Sequence, residues 1–172
     1  MLSPRSLQAL LSGVRDRSQA PVDAERCLWS ARPSAVAASS HYQHCNPELG
    51  IDFLVEKLGF DRLQVMDARL VRIAPLASNE KHRHAHESIF VVLSGQGDLQ
   101  IGHDRIPLRP GSVACVPRWL IHQSHNTAAD EPLTLLAITD FGLTSAVLGD
   151  YDASTRLRRG GSDAFADTTA PE

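Results

Sequence analysis

Two separated histidine segments constrain the fold of this chain more than any other feature of its sequence. His82 and His84 stand one residue apart, and His122 lies in a later apolar segment. In an extended strand, side chains at positions i and i+2 point to the same face, so His82 and His84 can present two imidazoles to one ion. If the fold brings His122 to that face, three imidazoles surround one point. The sequence therefore predicts a β-structure in which the two segments are neighbours.

Three imidazoles on one face predict an open metal site. Imidazole binds iron, copper, nickel and zinc, and three ligands on one side of an ion leave the opposite positions for water, substrate or oxygen. We therefore expect one divalent transition metal with a chemical rather than a structural role. The alternative is a chance cluster, because a chain with eight histidines can place several near one another on a wet surface or in a turn.

The spacing around the third histidine favours the metal site over the chance cluster. Gly111, Pro117, His122 and Asn126 follow one another with five, four and three intervening residues. This order resembles the second motif of the cupin superfamily, G-x5-P-x-G-x2-H-x3-N, except that Trp119 stands where the motif has glycine. The resemblance implies a jelly-roll barrel that binds a metal through His122.

The first cupin motif, G-x5-H-x-H-x(3,4)-E-x6-G, is matched less completely. His82, His84 and Gly95 fit it, whereas Leu76 replaces its leading glycine. Counting back from Gly95 places Ser88 at the position of the motif's glutamate. The glutamate of this chain is therefore displaced from its usual position.

The displaced glutamate leaves two registers open for the strand that follows the histidines. If the strand is continuous, Ser88 faces the metal and the ligands are the three histidines alone. If a β-bulge shifts the strand by one residue, Glu87 adds a carboxylate to the three histidines. The run from Ile89 to Leu93 contains no glycine or proline that would mark a bulge, which favours the register with Ser88 inward.

A narrower resemblance is to the ring-cleaving aromatic dioxygenases of the gentisate type. In those cupins a small residue, here Ser88, replaces the glutamate, a tryptophan, here Trp119, follows the proline, and three histidines hold Fe(II). The resemblance implies Fe(II) as the favoured metal, with Zn, Mn, Ni or Cu as alternatives. Gentisate-type enzymes usually contain two cupin modules, whereas this sequence contains one copy of the paired motifs, so their substrate is not carried over.

Four further side chains are candidates for contacts near the metal. His86 continues the alternation of the first two histidines and is a candidate ligand, or a residue that touches a ligand or the substrate. Phe90 and Asn126 are candidates for the substrate pocket. Trp119 is either an aromatic wall for a planar substrate or ordinary core.

The other histidines and one cysteine are expected to have ordinary roles. His103 lies in a hairpin turn, and His125 alternates away from the metal face. His44 precedes the barrel and is expected in a solvated loop, with a place at the pocket mouth as the alternative. Cys115 lies on an apolar strand, where cysteine usually acts as a small hydrophobic residue.

Short apolar runs separated by turn signals predict an all-β, antiparallel jelly-roll β-barrel over residues 61–141. Residues 1–60 are expected to form a helix at 6–14 and an irregular arm with one helical turn at Phe53–Leu58. Residues 142–172 are expected to form a short helix and a flexible tail. The predicted strands are Leu63–Ala74, Ser88–Leu93, Asp98–Ile101, Arg105–Leu108, Ser112–Val116, His122–Asn126 and Leu133–Thr139.

Composition and charge indicate which partners and which cellular location to expect. The 17 basic and 20 acidic residues give a net charge of −3, so we expect neither nucleic acid nor an anionic membrane as a partner. The apolar runs are too short to span a bilayer, and Arg15 and Arg17 interrupt the first segment, so we expect no signal peptide. Three cysteines without a Cys-x-x-Cys pair are typical of a cytoplasmic protein with free thiols.

Two classes of function remain open from the sequence. The first is an Fe(II) dioxygenase that acts on a small chelating substrate, such as an aromatic compound, a diketone or a hydroxy acid. The second is non-redox: a metal-dependent isomerase, cyclase or lyase, or a regulatory protein that binds a small molecule. Neutral ligands leave more positive charge on the ion than a carboxylate would, which favours an anionic chelating substrate. Because single-module cupins commonly form homodimers, the resemblance also implies a homodimer.

Overall fold

The computed structural model describes residues 27–28, 42–60, 63 and 65–149. The helix expected at 6–14 and the tail expected at the C-terminus lie outside these residues. Within them the chain forms nine strands and one α-helix. They are β1 (Tyr42–Asn46), β2 (Ile51–Lys57), β3 (Asp67–Ile73), β4 (Ser88–Ser94), β5 (Gly97–Ile101), β6 (Asp104–Leu108), β7 (Val113–Val116), β8 (His122–Asn126), β9 (Leu133–Thr139) and α1 (Phe141–Leu148).

The strands form two antiparallel sheets that enclose one core. The larger sheet has the order β1-β2-β3-β9-β4-β7, and the smaller one has the order β6-β5-β8. Apolar side chains of both sheets, such as Leu99 from β5 and Leu135 from β9, meet in the same buried cluster. This arrangement confirms the predicted all-β jelly-roll barrel, and all seven predicted strands are present.

Strand alternation explains which side chains enter the core. Along β9, Leu133, Leu135 and Ala137 are buried and alternate with partly exposed residues. On β7, Ala114 and Val116 point inward, and Cys115 therefore points outward and is exposed. Cys115 therefore does not pack in the core, because the outer face of β7 is not covered by the described residues. Its expected role as a small hydrophobic residue stays a prediction.

The sheet begins earlier in the chain than the sequence indicated. Residues 42–57 form β1 and β2, which pair with each other and continue the larger sheet through β3. The helical turn predicted at Phe53–Leu58 is wrong, because Phe53 and Val55 point into the core in alternation with outward residues. Leu54 obscured this period-2 pattern, since it adds an apolar residue on the outer face.

Both departures from the motif glycines occupy left-handed backbone conformations. Leu76 has φ 56° and Trp119 has φ 62°, and no other non-glycine residue of the described chain has a positive φ. These are the positions at which the two cupin motifs have glycine, which adopts this conformation without a steric penalty. The motif glycine at Gly95 is retained, because a β-carbon there would lie 2.4 Å from the carbonyl oxygen of Pro132.

Replacing Leu76 with glycine is expected to raise the free energy of unfolding by up to about 1 kcal/mol. A left-handed conformation costs a residue with a β-carbon about 1–2 kcal/mol, and the extra unfolded-state entropy of glycine cancels part of that gain. The Leu76 side chain is exposed, so little packing is lost. Urea unfolding measures the change. Met66, which is exposed without a positive φ, is the control: Met66→Gly should destabilise. Equal losses in both variants would contradict relief of backbone strain.

Across the described residues, no helix has both the length and the apolar character that a membrane crossing requires.

Candidate metal centre

The two histidine segments lie side by side in the barrel. His82 and His122 form an antiparallel bridge in which each backbone N–H donates to the other residue's carbonyl, at 3.1 and 2.9 Å. The N–H of Trp119 donates to the carbonyl of His84 at 2.7 Å. These three hydrogen bonds hold the segment before β4 against the segment that enters β8.

This pairing brings three imidazoles together. One nitrogen from each of His82, His84 and His122 lies within 4.8 Å of the other two, and all three residues are buried. Their ring centroids are 4.4 to 5.4 Å apart. Among the described residues, this is the group of histidine, cysteine and acidic side chains whose geometry could hold a metal ion.

The hydrogen bonds of the three rings fix which nitrogen faces the centre. Nδ1 of His82 lies 2.7 Å from the carbonyl oxygen of Glu80, Nδ1 of His84 lies 2.8 Å from that of His86, and Nδ1 of His122 lies 2.9 Å from that of Leu120. A carbonyl oxygen only accepts, so each Nδ1 carries the proton and donates it.

The resulting tautomer fits a metal. In a neutral imidazole with a protonated Nδ1, the lone pair is on Nε2, which is the atom that binds an ion. Backbone carbonyls that orient ligand histidines in this way are typical of metal sites. The donor set of three neutral imidazoles suits iron, zinc, nickel or copper better than calcium or magnesium. The site therefore fits one divalent transition metal.

The structure places Ser88 inside the barrel and Glu87 outside it. From Ser88 to Val91, β4 pairs in unbroken register with both β7 and β9, and a shift occurs only near Ser94. Ser88 is 1% exposed and lines the cavity beside the histidines. The side chain of Glu87 is 64% exposed, and its carboxylate lies 3.6 Å from the guanidinium of Arg118.

Glu87→Gln is expected to leave metal affinity nearly unchanged, because the Glu87 carboxylate lies at the surface. Ser88→Glu should raise metal affinity, since it places a carboxylate in the cavity beside the imidazoles. Competitive titration of zinc against a coloured chelator measures both. Loss of a residue that only orients a ligand typically costs about 10 to 100-fold in affinity. A larger loss in Glu87→Gln would mean that Glu87 is itself a ligand.

The imidazoles of His82 and His84 line a small cavity of about 70 Å³, and most of its other walls come from strands of the larger sheet. Its walls combine apolar and polar side chains. The described residues that line it are Phe53, Val55, Arg69, Val71, Asn79, His82, His84, His86, Ser88, Phe90, Ala137 and Thr139.

His86 lies beside the three histidines without joining their group. Its ring stacks on that of His84, with centroids 3.6 Å apart and planes within 10°. The His86 ring also contacts the ring of Phe141, the first residue of α1, with centroids 5.5 Å apart and planes at 88°. His86 lines the cavity, so the structure places it where it can contact His84 and a bound substrate.

The three candidates for the substrate pocket separate in the structure. Phe90 lines the cavity. Trp119 does not line it and is 48% exposed. Asn126 is fully buried among backbone groups and does not line the cavity either. The interpretation of Trp119 as an aromatic wall and of Asn126 as a pocket residue is therefore corrected.

An ion-pair network ties the histidine segments to α1. Arg118 donates to the carbonyl of Ala85 at 2.6 Å and binds the carboxylate of Asp140. Burial would raise the pKa of Asp140. Four interactions outweigh burial and lower the pKa of Asp140. They are the hydrogen bond from Arg118, the hydrogen bond from the N–H of Glu87, the charge of Arg118 and a hydrogen bond from Thr144. The charged form therefore holds this junction.

Sequence reasoning missed Arg69 and Asn79. The side chain of Arg69 points into the cavity from β3, and Asn79 accepts the N–H of Ser124 at 2.8 Å. A signal for Arg69 was present, because Ile73 and Val71 are core positions and alternation along the same strand puts Arg69 on the same face.

Comparison with known proteins supports the cupin superfamily. Residues 69–139 match the family described as a cupin domain. The auxin-binding protein T85 of Nicotiana tabacum is 33% identical over 86 residues, which cover 44% of this chain and 46% of the relative. The chain thus spans less than half of that relative's length.

Two solved structures show the same fold. A putative sugar phosphate isomerase from Acidithiobacillus ferrooxidans is 29% identical, with a TM-score of 0.56, and the match covers 68% of this chain and 76% of the isomerase. A salicylate 1,2-dioxygenase from Pseudaminobacter salicylatoxidans is 15% identical, with a TM-score of 0.51 and a coverage of 56% and 28%. At that identity the dioxygenase shares the fold alone.

Proposed function

We propose that this protein is a metal-dependent cupin enzyme, and specifically an Fe(II) dioxygenase for a small anionic substrate that chelates the metal. His82, His84 and His122 hold the ion. The observation that carries this proposal is the set of three buried imidazoles, each oriented by a backbone carbonyl, with those of His82 and His84 lining a cavity.

Bound Fe(II) supplies the redox chemistry of the reaction. The overall reaction needs no further reductant, because both atoms of O₂ enter the substrate and the substrate provides the electrons that reduce them. The protein's task is to bind the substrate, orient it and keep bulk water away.

The cavity walls are suited to that task. Phe53, Val55 and Phe90 present apolar surface that excludes water from the reacting groups. Ser88 contributes a hydroxyl that has no hydrogen-bond partner among the described residues. We assign this hydroxyl to a hydrogen bond with a substrate oxygen, since an unsatisfied buried hydroxyl costs about 1–3 kcal/mol.

The second candidate is a non-redox isomerase that uses the same ion as a Lewis acid. The similarity to the putative sugar phosphate isomerase favours it, because that match extends over 76% of the isomerase at 29% identity. A regulatory or binding protein without turnover is the third, in line with the name of the auxin-binding relative. All three candidates use the same three histidines.

Metal analysis and oxygen uptake separate these candidates. Protein purified without added metal is analysed for iron, zinc, manganese, nickel and copper, and then incubated with catechols, hydroxyaromatic acids, diketones and hydroxy acids in an oxygen electrode. Stoichiometric iron with oxygen consumption supports the dioxygenase. Another metal, with isomerisation of a hydroxyaldehyde or ketose phosphate and no oxygen uptake, supports the isomerase and overturns the dioxygenase. A homodimer and a cytoplasmic location remain predictions, which sedimentation and fractionation test.

A further inference from the structure

Arg69 is a largely buried cation whose position the metal histidines do not require. Its side chain leaves β3 toward the cavity and is 11% exposed. Nε donates to the carboxylate of Asp67, and the guanidinium carbon lies 4.7 Å from the ring centroid of Phe141. These two contacts fix the plane of the guanidinium, so the group is held in place before any ligand arrives.

The outer nitrogens of Arg69 are unsatisfied by the described residues. The hydrogen bond that the structure gives Arg69 uses Nε, which leaves the four N–H bonds of the two Nη groups for another acceptor. These two nitrogens are not among the fully buried unpaired polar atoms of the described residues, and Arg69 lines the cavity. Its unpaired donors are therefore accessible to an acceptor that enters the cavity.

The electrostatics of the cavity specify the charge of that acceptor. No acidic side chain is among the described residues that line the cavity. Asp67, which neutralises Arg69, also lies 3.1 Å from the ammonium of Lys57, so one carboxylate serves two cations. With three neutral imidazoles around a divalent ion, the cavity carries a net positive charge.

We infer that Arg69 selects the substrate by binding an oxyanion, a carboxylate or a phosphate, of the molecule that chelates the metal. The inference rests on the proposed function for the presence of the ion. The two parallel N–H groups of a guanidinium match two oxygens of either oxyanion. Asp67 and Phe141 are positioning residues, because they hold the guanidinium and do not face the acceptor.

Ligand binding to the metal-loaded protein tests this inference without any turnover. Co(II)-loaded protein is titrated with lactate, with its neutral and similarly sized amide lactamide, and with inorganic phosphate, and binding is followed by the visible absorption of the ion and by calorimetry. Arg69→Met removes the charge and keeps an unbranched side chain. We expect Arg69→Met to lower the affinity for lactate or phosphate about 10 to 100-fold, because charge-assisted hydrogen bonds are lost. The affinity for lactamide should be unchanged.

Arg72→Met is the matched control. Arg72 lies on the same strand, faces the outer side and binds Glu56, so this variant makes the same change in charge away from the cavity. Arg72→Met should bind all three probes like the wild type. Arg69→Lys, which keeps the charge without the planar fork, should fall between the wild type and Arg69→Met.

The outcomes separate this inference from the proposed function. Cobalt stoichiometry is measured first. If the wild type does not bind one cobalt ion per chain, the metal site itself is overturned. If cobalt binds normally but Arg69→Met binds lactate and phosphate as tightly as Arg72→Met, the role of Arg69 is overturned while the metal site stands. If the cobalt-loaded wild type binds neither lactate nor phosphate, the role of Arg69 is also overturned. Arg69-dependent binding of one anion alone identifies the oxyanion as carboxylate or phosphate.

Discussion

His122→Ala is expected to abolish stoichiometric binding of a divalent metal. The imidazole of His122 is fully buried, its Nδ1 is committed to the carbonyl of Leu120, and its Nε2 faces those of the other two histidines. With two imidazoles left, the ion would have to replace a protein ligand with water in a buried site. The metal content of protein dialysed against zinc measures the loss, and we expect less than a tenth of the wild-type occupancy.

His103→Ala is the control for this loss. His103 lies exposed in the turn between β5 and β6, so its removal changes the histidine count and leaves the site intact. It should retain one ion per chain. Full occupancy in His122→Ala would contradict the assignment of the three-histidine site, whereas equal loss in both variants would point to adventitious binding by surface histidines.

The parts of the site that sequence reasoning predicted are those that strand alternation determines. His82 and His84 share a face because they are two residues apart in extended chain, and Ser88 points inward because β4 runs without a bulge from Ser88 to Val91. The bounds of β8 and β9 also follow from clear alternation between turn signals. In these elements the local pattern and the final contacts agree.

The parts that it missed depend on contacts with distant elements. β2 is a strand because it pairs with β1 and β3, and Leu54 hides its alternation until those partners are known. Arg69 can be buried because Asp67 lies beside it and an open cavity lies in front of it. The backbone of Trp119 has φ 62°, a conformation that a residue of its type rarely adopts and that the sequence does not predict.

The two residues with left-handed backbones, Leu76 and Trp119, each form a backbone hydrogen bond to another segment of the barrel. The backbone N–H of Leu76 donates to the carbonyl of Ala128, and the N–H of Trp119 donates to that of His84. The first turn is therefore held to the loop that follows β8, and the second is held to one of the metal histidines. At both positions where the motifs have glycine, this chain has a left-handed conformation that glycine adopts without a steric penalty, although neither residue is glycine.

Asn126, the last residue of β8, connects three parts of the backbone. It is fully buried, and its Nδ2 lies 3.0, 3.1 and 2.8 Å from the carbonyl oxygens of Ile73, Ala74 and Glu131. The two hydrogens of Nδ2 serve these three acceptors, so one hydrogen is shared between two carbonyls. Its Oδ1 accepts the N–H of Ala128 at 2.9 Å. One side chain thus satisfies the end of β3, the loop after it and the turn that leads into β9.

Asn126→Ala is therefore expected to lower the free energy of unfolding by about 3 kcal/mol, because it leaves several buried backbone groups without partners. Urea unfolding with an unchanged m-value measures this loss. The adjacent His125, which is partly exposed and 3.5 Å from Asp98, is the control, and His125→Ala should change stability by about 0.5 kcal/mol or less. Folded Asn126→Ala should still bind one metal ion, since Asn126 has no access to the cavity. A loss below about 1 kcal/mol would contradict the role of Asn126 in satisfying the backbone. A loss of metal without a loss of stability would show instead that Asn126 acts on the metal centre.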